Sequence, residues 1–313
     1  MLKWQRKVLL QRAFSRVPCG EQLNSLLQAV KRSPLFPARG FQAETHGRLA
    51  SVGGLIKRVS TLLPLEGATV VEVGTGWAPI PTLLLSLAGV RTIHTYDIVR
   101  RARWSAWRSI ARALRDRAGA CADAIGQPRE AVEQRLARIE GATSMKQMLD
   151  LANIDYVAPG DVMATGFPEG SIDLFFAYSV FEHIPMSVLR GFCREAGRLL
   201  RPGTGRLCVQ FDCADNFSGF DKTLHPLDYL RYSDDEWNRL VNDRNRYHFN
   251  RIREQEFLDI LKEDGAEIDD VQHTSRPGYL EYVKTIPLAE RFRQFTPEQN
   301  AIVTTEVIAS HLG

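Results

Sequence analysis

The stretch that most constrains the fold of this chain is residues 70–80, VVEVGTGWAPI. Its first four residues are mostly β-branched and suit a buried parallel strand. Gly74 and Gly76 then allow the backbone to turn tightly enough for a ligand to lie against it. A helix beginning at Ile80 completes a strand–turn–helix unit, so we interpret the glycine turn as a cofactor-binding site.

Two classes of cofactor fit such a turn. A dinucleotide requires the pattern G-x-G-x-x-G and free backbone N–H groups at the helix N-terminus to hold its pyrophosphate. Here Pro79 and Pro81 each remove one of those N–H groups, and the carboxylate of Glu72 would repel a pyrophosphate. The same carboxylate can pair with an amino group, which S-adenosylmethionine carries. The residues therefore favour S-adenosylmethionine over the NAD of a dehydrogenase.

Residues 72–78, EVGTGWA, resemble motif I of the class I S-adenosylmethionine-dependent methyltransferases. Ala78 stands where that family most often has its third glycine. For this motif taken alone, an ordinary strand-to-helix turn of another α/β protein is the alternative. The resemblance implies that the cofactor is contacted by Glu72, Gly74, Thr75, Gly76 and Trp77.

A second strand is predicted over residues 91–98, RTIHTYDI, and it ends in Asp97. An acid about 20 residues beyond the glycine turn, at the carboxyl end of the second strand, can accept hydrogen bonds from two ribose hydroxyls. Because this holds for any adenosine cofactor, Asp97 and the adjoining Ile98 support adenosine binding without separating NAD from S-adenosylmethionine. The long helical pattern that follows, up to residue 151, predicts two or three inserted helices.

The segment 160–184 carries a second part of the resemblance. Methyltransferases of the broad type-11 group share its layout: an acid after strand three, a Phe-Pro turn, an acid opening strand four, and Glu-His-Ile at its far end. These positions hold Asp161, Phe167 and Pro168, Asp173, and residues 182–184. The resemblance implies that Asp161 and Val162 receive the adenine edge. Ser179 is placed at the carboxyl edge of the sheet, where open α/β sheets bind their ligands.

These elements predict an α/β, Rossmann-like fold with a seven-stranded, mostly parallel sheet, an antiparallel last strand and helices on both faces. We expect an N-terminal helical extension (1–63), a methyltransferase domain (64–290) and a C-terminal helix (291–313). The domain is predicted to contain a helical insertion at about 119–151 and an acceptor-side insertion at about 213–250. Its last part predicts strands at 267–273 and 279–285, and the terminal helix is expected at 297–312.

An oxygen acceptor needs a general base, and the best candidate is His183 at the end of strand four. Its ordinary pKa near 6.5 suits proton removal at neutral pH; a hydrogen bond that shapes the pocket is the alternative role. His225, on the acceptor-side insertion, is a weaker candidate. Further candidates on the insertion are Tyr229, Tyr247 and His248. His46, in the helix before strand one, is in a position that could face the cofactor. The sequence shows no cluster of metal ligands, so no metal is expected.

Composition narrows the class of protein. The net charge is only +3, which argues against a dedicated nucleic-acid binder, although basic residues concentrate in 1–60 and 91–117. The five cysteines form no C-x-x-C pair, so neither a zinc site nor a disulfide framework is expected. No apolar run reaches the roughly 18 residues of a spanning helix, and no secretion signal is recognisable, so we expect a cytoplasmic protein. Basic amphipathic helices predicted within residues 1–32 can form a lid or a weak contact with a membrane surface.

The sequence thus predicts an enzyme that transfers a methyl group from S-adenosylmethionine to a small-molecule acceptor and releases S-adenosylhomocysteine. Transfer to oxygen is favoured over transfer to nitrogen, and no sequence-specific nucleic-acid partner is expected. One alternative is an RNA or protein methyltransferase, which the basic stretches favour but the end of strand four, without an Asn-Pro-Pro-Tyr type motif, does not. Another is a catalytically inactive scaffold that binds the cofactor.

Overall fold

A seven-stranded sheet runs through the computed structural model, which describes residues 40–219, 221–241 and 248–312. The strands are β1 (Thr69–Val73), β2 (Thr92–Tyr96), β3 (Ile154–Val157), β4 (Leu174–Tyr178), β5 (Arg206–Asp212), β6 (Glu267–Ser275) and β7 (Ile302–Ser310). They lie in the order β3-β2-β1-β4-β5-β7-β6. Strands β1 to β5 are parallel, and β7 is antiparallel to both of its neighbours. The predicted fold class is therefore confirmed.

Helices cover both faces of the sheet. They are α1 (Phe41–Leu62), α2 (Ile80–Leu87), α3 (Trp104–Arg115), α4 (Ala118–Ile125), α5 (Arg129–Glu140), α6 (Met145–Leu151), α7 (Met186–Leu199), α8 (Asp234–Leu240), α9 (Glu254–Glu263), α10 (Tyr279–Thr285) and α11 (Pro297–Asn300). Four of them, α3 to α6, stand between β2 and β3, where the sequence predicts two or three. No helix in these described ranges is long and apolar enough to cross a bilayer.

Alternation along the buried strands assigns each helix to a face. Strand β1 is buried along its whole length. Val70 packs in a core shared with α1 to α6, whereas Val71 and Val73 pack in a second core shared with α7 and α9. Side chains of consecutive strand residues point to opposite faces, so one continuous apolar strand supplies both cores.

A third packed cluster lies beyond the carboxyl end of β5. It combines aromatic residues of the predicted acceptor-side insertion with residues from α10 to β7, including Tyr229, Trp237, Phe249 and Phe292. The fully buried guanidinium of Arg253 ties this cluster to the sheet. It donates hydrogen bonds to the carbonyl oxygens of Cys213, Gln299 and Ile302 and to the Tyr229 hydroxyl.

The end of the chain differs from the prediction. Residues 279–285, predicted as a strand, form helix α10, and the predicted helix at 297–312 is only the four-residue α11 followed by strand β7. Thr296 and Gln299 form a capping box that begins a helix, but β-branched residues dominate from Ile302 onward and suit a strand. The last segment is thus an inner strand of the sheet, between β5 and β6. The predicted helices within residues 1–32, their membrane contact, and Tyr247 lie outside the described residues.

Candidate cofactor and acceptor site

The carboxyl ends of β1 and β2 lie side by side, at the edge of the sheet where open α/β sheets form ligand crevices, and the strand order reverses next to them, between β1 and β4. There the Asp97 carboxylate accepts hydrogen bonds from the backbone N–H groups of Gly76 (2.8 Å) and Val99 (2.9 Å). Beneath them, the hydroxyls of Thr75 and Thr95 are 2.6 Å apart. The predicted ribose-binding acid therefore lies directly beside the glycine turn.

The glycine turn itself requires glycine. Gly74 has φ +82° and Gly76 has φ +65°, values that favour glycine. A Cβ atom on Gly74 would lie 2.2 Å from Cγ2 of Val180, so the segment after β4 packs against this turn. A Cβ atom on Gly76 would meet only the Gly74 carbonyl oxygen, at 3.7 Å, which leaves the turn open at this position.

Glu72 lies under the turn and is only 2% exposed. The Thr82 hydroxyl of α2 donates a hydrogen bond of 2.6 Å to its Oε2 atom. Burial, with a smaller contribution from the charge of Asp97, raises the pKa of Glu72 to about 7. The carboxyl group can therefore gain or lose its proton near neutral pH, and its predicted contact with a cofactor amino group stays a prediction.

The predicted adenosine contacts form a partly apolar surface. The Ile98 side chain is 78% exposed, which leaves a large apolar group beside Asp97 without cover. The guanidinium of Arg101 lies over the Trp77 ring, 5.2 Å from its centroid. After β3, Asp161 accepts a hydrogen bond from the Met163 N–H and caps a short 3₁₀ turn that begins at the buried Val162.

The segment after β4 carries the predicted base. Ser179 has φ +56°, an uncommon backbone conformation for a residue with a side chain. Its hydroxyl donates to the Gln210 side chain on β5 at 2.9 Å. Asn250 donates from its side chain to the carbonyl oxygens of Phe181 and Ile184 and so clamps the 3₁₀ turn that ends at His183.

The His183 ring has a defined tautomer. Its Nδ1 atom lies 2.8 Å from the carbonyl oxygen of His248, and because a carbonyl only accepts, Nδ1 carries the hydrogen. Nε2 is then the nitrogen that can take a proton. Burial is the main cause that lowers the pKa of His183, which keeps the ring neutral at physiological pH.

Two carboxyl groups interact electrostatically with each other near His183, one in the segment after β4 and one at the end of β5. Glu182 is 1% exposed, and its Oε1 atom is 3.9 Å from His183 Nε2. Asp212, at the end of β5, accepts a hydrogen bond from the Gln210 side chain at 3.1 Å. Burial raises the pKa of both carboxyl groups, and the charge of Arg48 on α1 partly opposes this.

The weaker catalytic candidates make contacts that do not involve the His183 ring nitrogen that takes a proton. His225 accepts a backbone hydrogen bond from Leu227 at Nδ1 and stacks on the Tyr282 ring, with centroids 3.6 Å apart. Tyr229 is fully buried in the third cluster, where its hydroxyl donates to the Cys213 carbonyl. His248 contributes its carbonyl oxygen to the His183 contact rather than its ring.

Sequence reasoning missed Arg48, Arg101, Gln210, Asp212 and Asn250. Asp212 had a usable signal, since it is an acid at the carboxyl end of a buried strand, as Asp97 is. The others come from a helix, two loops and a strand interior, and no local pattern marks them. Within the part of the chain that the structure describes, no group of three or more His, Cys, Asp or Glu residues is arranged to hold a metal ion.

Comparisons with known proteins give one family match. Residues 118–209 match the family model described as a methyltransferase domain, of the type-11 group. No curated protein matches the sequence.

Three solved structures illustrate the structural likeness. The [4+2]-cyclase SpnF has 16% identity, with 83% of this chain and 81% of that chain covered and a TM-score of 0.44. An S-adenosylmethionine-dependent methyltransferase from Methanosarcina mazei has 16% identity, coverage of 82% and 97%, and a TM-score of 0.43. Geranyl diphosphate methyltransferase in complex with S-adenosylmethionine has 12% identity, coverage of 90% and 93%, and a TM-score of 0.46. Likenesses of this degree carry no argument about the reaction or the acceptor.

The strand order and the domain match assign the fold, and the segment 118–209, to the type found in class I S-adenosylmethionine-dependent methyltransferases. More narrowly, the part of the chain from α4 into β5 matches the type-11 methyltransferase domain. S-adenosylmethionine is the cofactor of this class, as predicted. The residues present fit it: the turn is open at Gly76, Asp97 offers a carboxylate beside it, and Ile98 offers an uncovered apolar side chain.

Proposed function

We propose that this protein methylates an oxygen atom of a small-molecule acceptor and that His183 is the general base. The observation that carries the proposal is the 2.8 Å contact between His183 Nδ1 and the His248 carbonyl oxygen, from which we assign the ring hydrogen to Nδ1. This leaves Nε2 to accept the acceptor's proton. Val180, three residues earlier in the same segment, packs against the cofactor turn at Gly74, so base and cofactor site adjoin.

S-adenosylmethionine, when bound, supplies a methyl group that its sulfonium charge already activates. Asp97, Ile98 and the turn at Gly76 would hold its adenosine part. His183 takes the proton from the acceptor hydroxyl as the oxygen attacks, and Asn250 keeps the turn that carries His183 in place. Proton removal by a positioned base typically contributes about 100-fold to 10,000-fold in rate.

A small acceptor is supported by the position of the base, which is partly exposed and lies against the acceptor-side insertion. The His183 side chain is 38% exposed, and its backbone segment is held by residues 248–250 of the acceptor-side insertion. A neutral ring in this position suits a hydroxyl acceptor, whose proton must be removed. An amine acceptor is already nucleophilic once it is neutral.

Calorimetry with S-adenosylmethionine and S-adenosylhomocysteine tests the cofactor, and the absence of binding at millimolar ligand contradicts the proposal. Transfer of a labelled methyl group to fractionated extracts then separates small molecules from RNA and protein as acceptors. With the acceptor in hand, His183→Gln should lower kcat by about 100-fold or more and leave the cofactor Kd unchanged. The matched variant His225→Gln should change neither quantity. If His183→Gln transfers methyl groups at the native rate, His183 is not the general base. If the protein binds S-adenosylmethionine but methylates nothing in any fraction, it is a cofactor-binding scaffold.

A further inference from the structure

Glu182 is the least satisfied charged group near the site. Neither of its carboxylate oxygens has a hydrogen-bond partner among the described residues, although the side chain is 1% exposed. The backbone N–H groups of Glu182 and Asp212 oppose the rise of its pKa in part, but neither makes a hydrogen bond of normal geometry. Burying a carboxylate without partners is costly, so a group of this kind requires an explanation.

The surroundings of Glu182 supply two neighbours of different kinds. Among nearby charges, Asp212 acts on it most strongly, as a like charge. His183 Nε2, the nitrogen that takes the proton, lies 3.9 Å from its Oε1 atom. The other charged or titratable groups that act on this set are Arg48 on α1, Arg101 after β2, and His248.

Two interacting carboxyl groups, of which Glu182 is buried, do not both ionise readily, because each charge raises the cost of the other. Asp212 is the better stabilised anion of the two, since it accepts a hydrogen bond from the Gln210 side chain at 3.1 Å and one from the Thr304 hydroxyl at 3.4 Å. Glu182 lacks such donors among the described residues. This difference in donors favours Asp212 as the ionised member of the pair.

We propose that Glu182 and Asp212 are positioning residues that share one negative charge and stabilise the imidazolium formed when His183 removes the acceptor's proton. This inference rests on the proposed function. In that step the acceptor O–H bond breaks and its proton moves to Nε2. The oxygen's electron pair forms the new bond to the methyl carbon and displaces sulfur, which keeps the former bonding pair. The carboxyl pair keeps its own proton throughout and acts only through its charge.

The direct test follows the His183 ring by NMR titration, which needs no acceptor. Each single variant, Glu182→Gln or Asp212→Asn, leaves one carboxylate beside the ring, so the pKa of His183 should stay within about half a unit of the native value. The double variant removes the charge, which destabilises the imidazolium, so this pKa should fall by about one unit. A native-like titration in the double variant overturns the inference. A single variant with as large a shift as the double variant also overturns it.

A matched control uses another histidine–carboxylate pair. His94 Nδ1 lies 3.1 Å from the Asp155 carboxylate on β3, so Asp155→Asn removes a carboxylate beside a different histidine and should leave the titration of His183 unchanged. If the double variant does not fold, infrared spectra of the native protein, Glu72→Gln and Glu182→Gln decide. A protonated carboxyl band at neutral pH that persists in Glu72→Gln but is lost in Glu182→Gln supports the pair, whereas the absence of such a band from the native protein contradicts it.

Failure of this inference is distinguishable from failure of the proposed function. A protein that binds no S-adenosylmethionine in calorimetry fails as a methyltransferase, whatever the titration of His183 shows. If the protein binds S-adenosylmethionine and transfers methyl groups, but the pKa of His183 is unchanged in the double variant, the proposed function holds and the inference about Glu182 and Asp212 is wrong. In an active enzyme, the acid limb of kcat/KM should move to lower pH in the double variant, together with a lower kcat.

Discussion

The backbone N–H of Gly76 donates a hydrogen bond of 2.8 Å to the Oδ2 atom of Asp97, and this contact joins the ends of β1 and β2. The second carboxylate oxygen of Asp97 accepts from the Val99 N–H. Both oxygens are thus held in place by the chain itself. Because each carboxylate oxygen has a further lone pair, ribose hydroxyls can still bind to a group whose orientation is already set.

Replacing Asp97 by Ala should affect both the turn and the cofactor. Two backbone N–H groups lose their charged acceptor, which should lower the free energy of unfolding by about 2 kcal/mol. The Kd for S-adenosylhomocysteine should rise at least about tenfold, since each lost hydrogen bond to a charged group is worth about 1.5 kcal/mol or more. Calorimetry and urea unfolding measure the two effects. Asp150→Ala, which removes an exposed partner of Lys146, is the control. An unchanged Kd would limit Asp97 to a structural role.

A second prediction concerns the contact between Gly74 and Val180. Ala at position 74 meets both an unfavourable φ and the Val180 side chain, so Gly74→Ala should lower the free energy of unfolding by about 3 kcal/mol. Gly67→Ala is the matched control, because Gly67 has φ +76° and nothing within 4 Å of its Cβ position. It should cost only the φ contribution, about 1 kcal/mol. Adding Val180→Ala should restore part of the free energy of unfolding that Gly74→Ala loses. If nothing is restored, the loss comes from the unfavourable φ value alone.

The cofactor half of the site was predictable because its residues stand in local patterns. A β-branched run followed by glycines marks the end of one strand, and an acid at the end of the next apolar run marks the end of another. Parallel strands bring these carboxyl ends together. Gly76 and Asp97 therefore meet as expected from their positions alone. The hydrogen bond between them was not predicted from the sequence.

The acceptor half was not predictable in this way. His183 stood in a recognisable segment, but the groups that set its tautomer and charge come from distant parts of the chain. His248 and Asn250 belong to the acceptor-side insertion, and Asp212 ends a strand whose acid carries no motif. Strand β7 was missed for a related reason: its register with β5, for instance Cys208 opposite Ile308, joins residues far apart in sequence.

A third prediction follows from the buried position of Glu72. Its pKa is raised from an ordinary 4.5 to about 7, so between these values the folded state binds more protons than the unfolded state. The free energy of unfolding should therefore fall as the pH rises through this window, by up to about 3 kcal/mol. Glu72→Gln has no carboxylate to bury in its charged form, so this variant should be more stable than the native protein at pH 8 but not at pH 4. Urea unfolding at pH 4 and at pH 8 checks this. Glu66→Gln, at an exposed position, is the control and should leave the free energy of unfolding unchanged at both pH values.

The same titration should couple to the cofactor. A positively charged ligand near Glu72 favours its ionised form, so the affinity for S-adenosylmethionine should rise from pH 6 to pH 8 in the native protein. In Glu72→Gln the rise should disappear. If the variant retains the native pH dependence of binding, Glu72 has no contact with the charged end of the cofactor, and its role is confined to the hydrogen bond with Thr82.

The last prediction concerns Ile98, whose side chain is 78% exposed although it adjoins Asp97, which accepts a hydrogen bond from the Gly76 N–H. If adenine covers it, Ile98→Ala removes apolar area that is buried only in the complex. The cofactor Kd should then rise about tenfold, corresponding to about 1.4 kcal/mol, with little change in the free energy of unfolding. Val188→Ala on α7 is the matched control, because Val188 is also an exposed apolar residue, at 43%. Equal affinities for Ile98→Ala and the native protein would mean that the adenine packs elsewhere, since an uncovered side chain contributes nothing to binding.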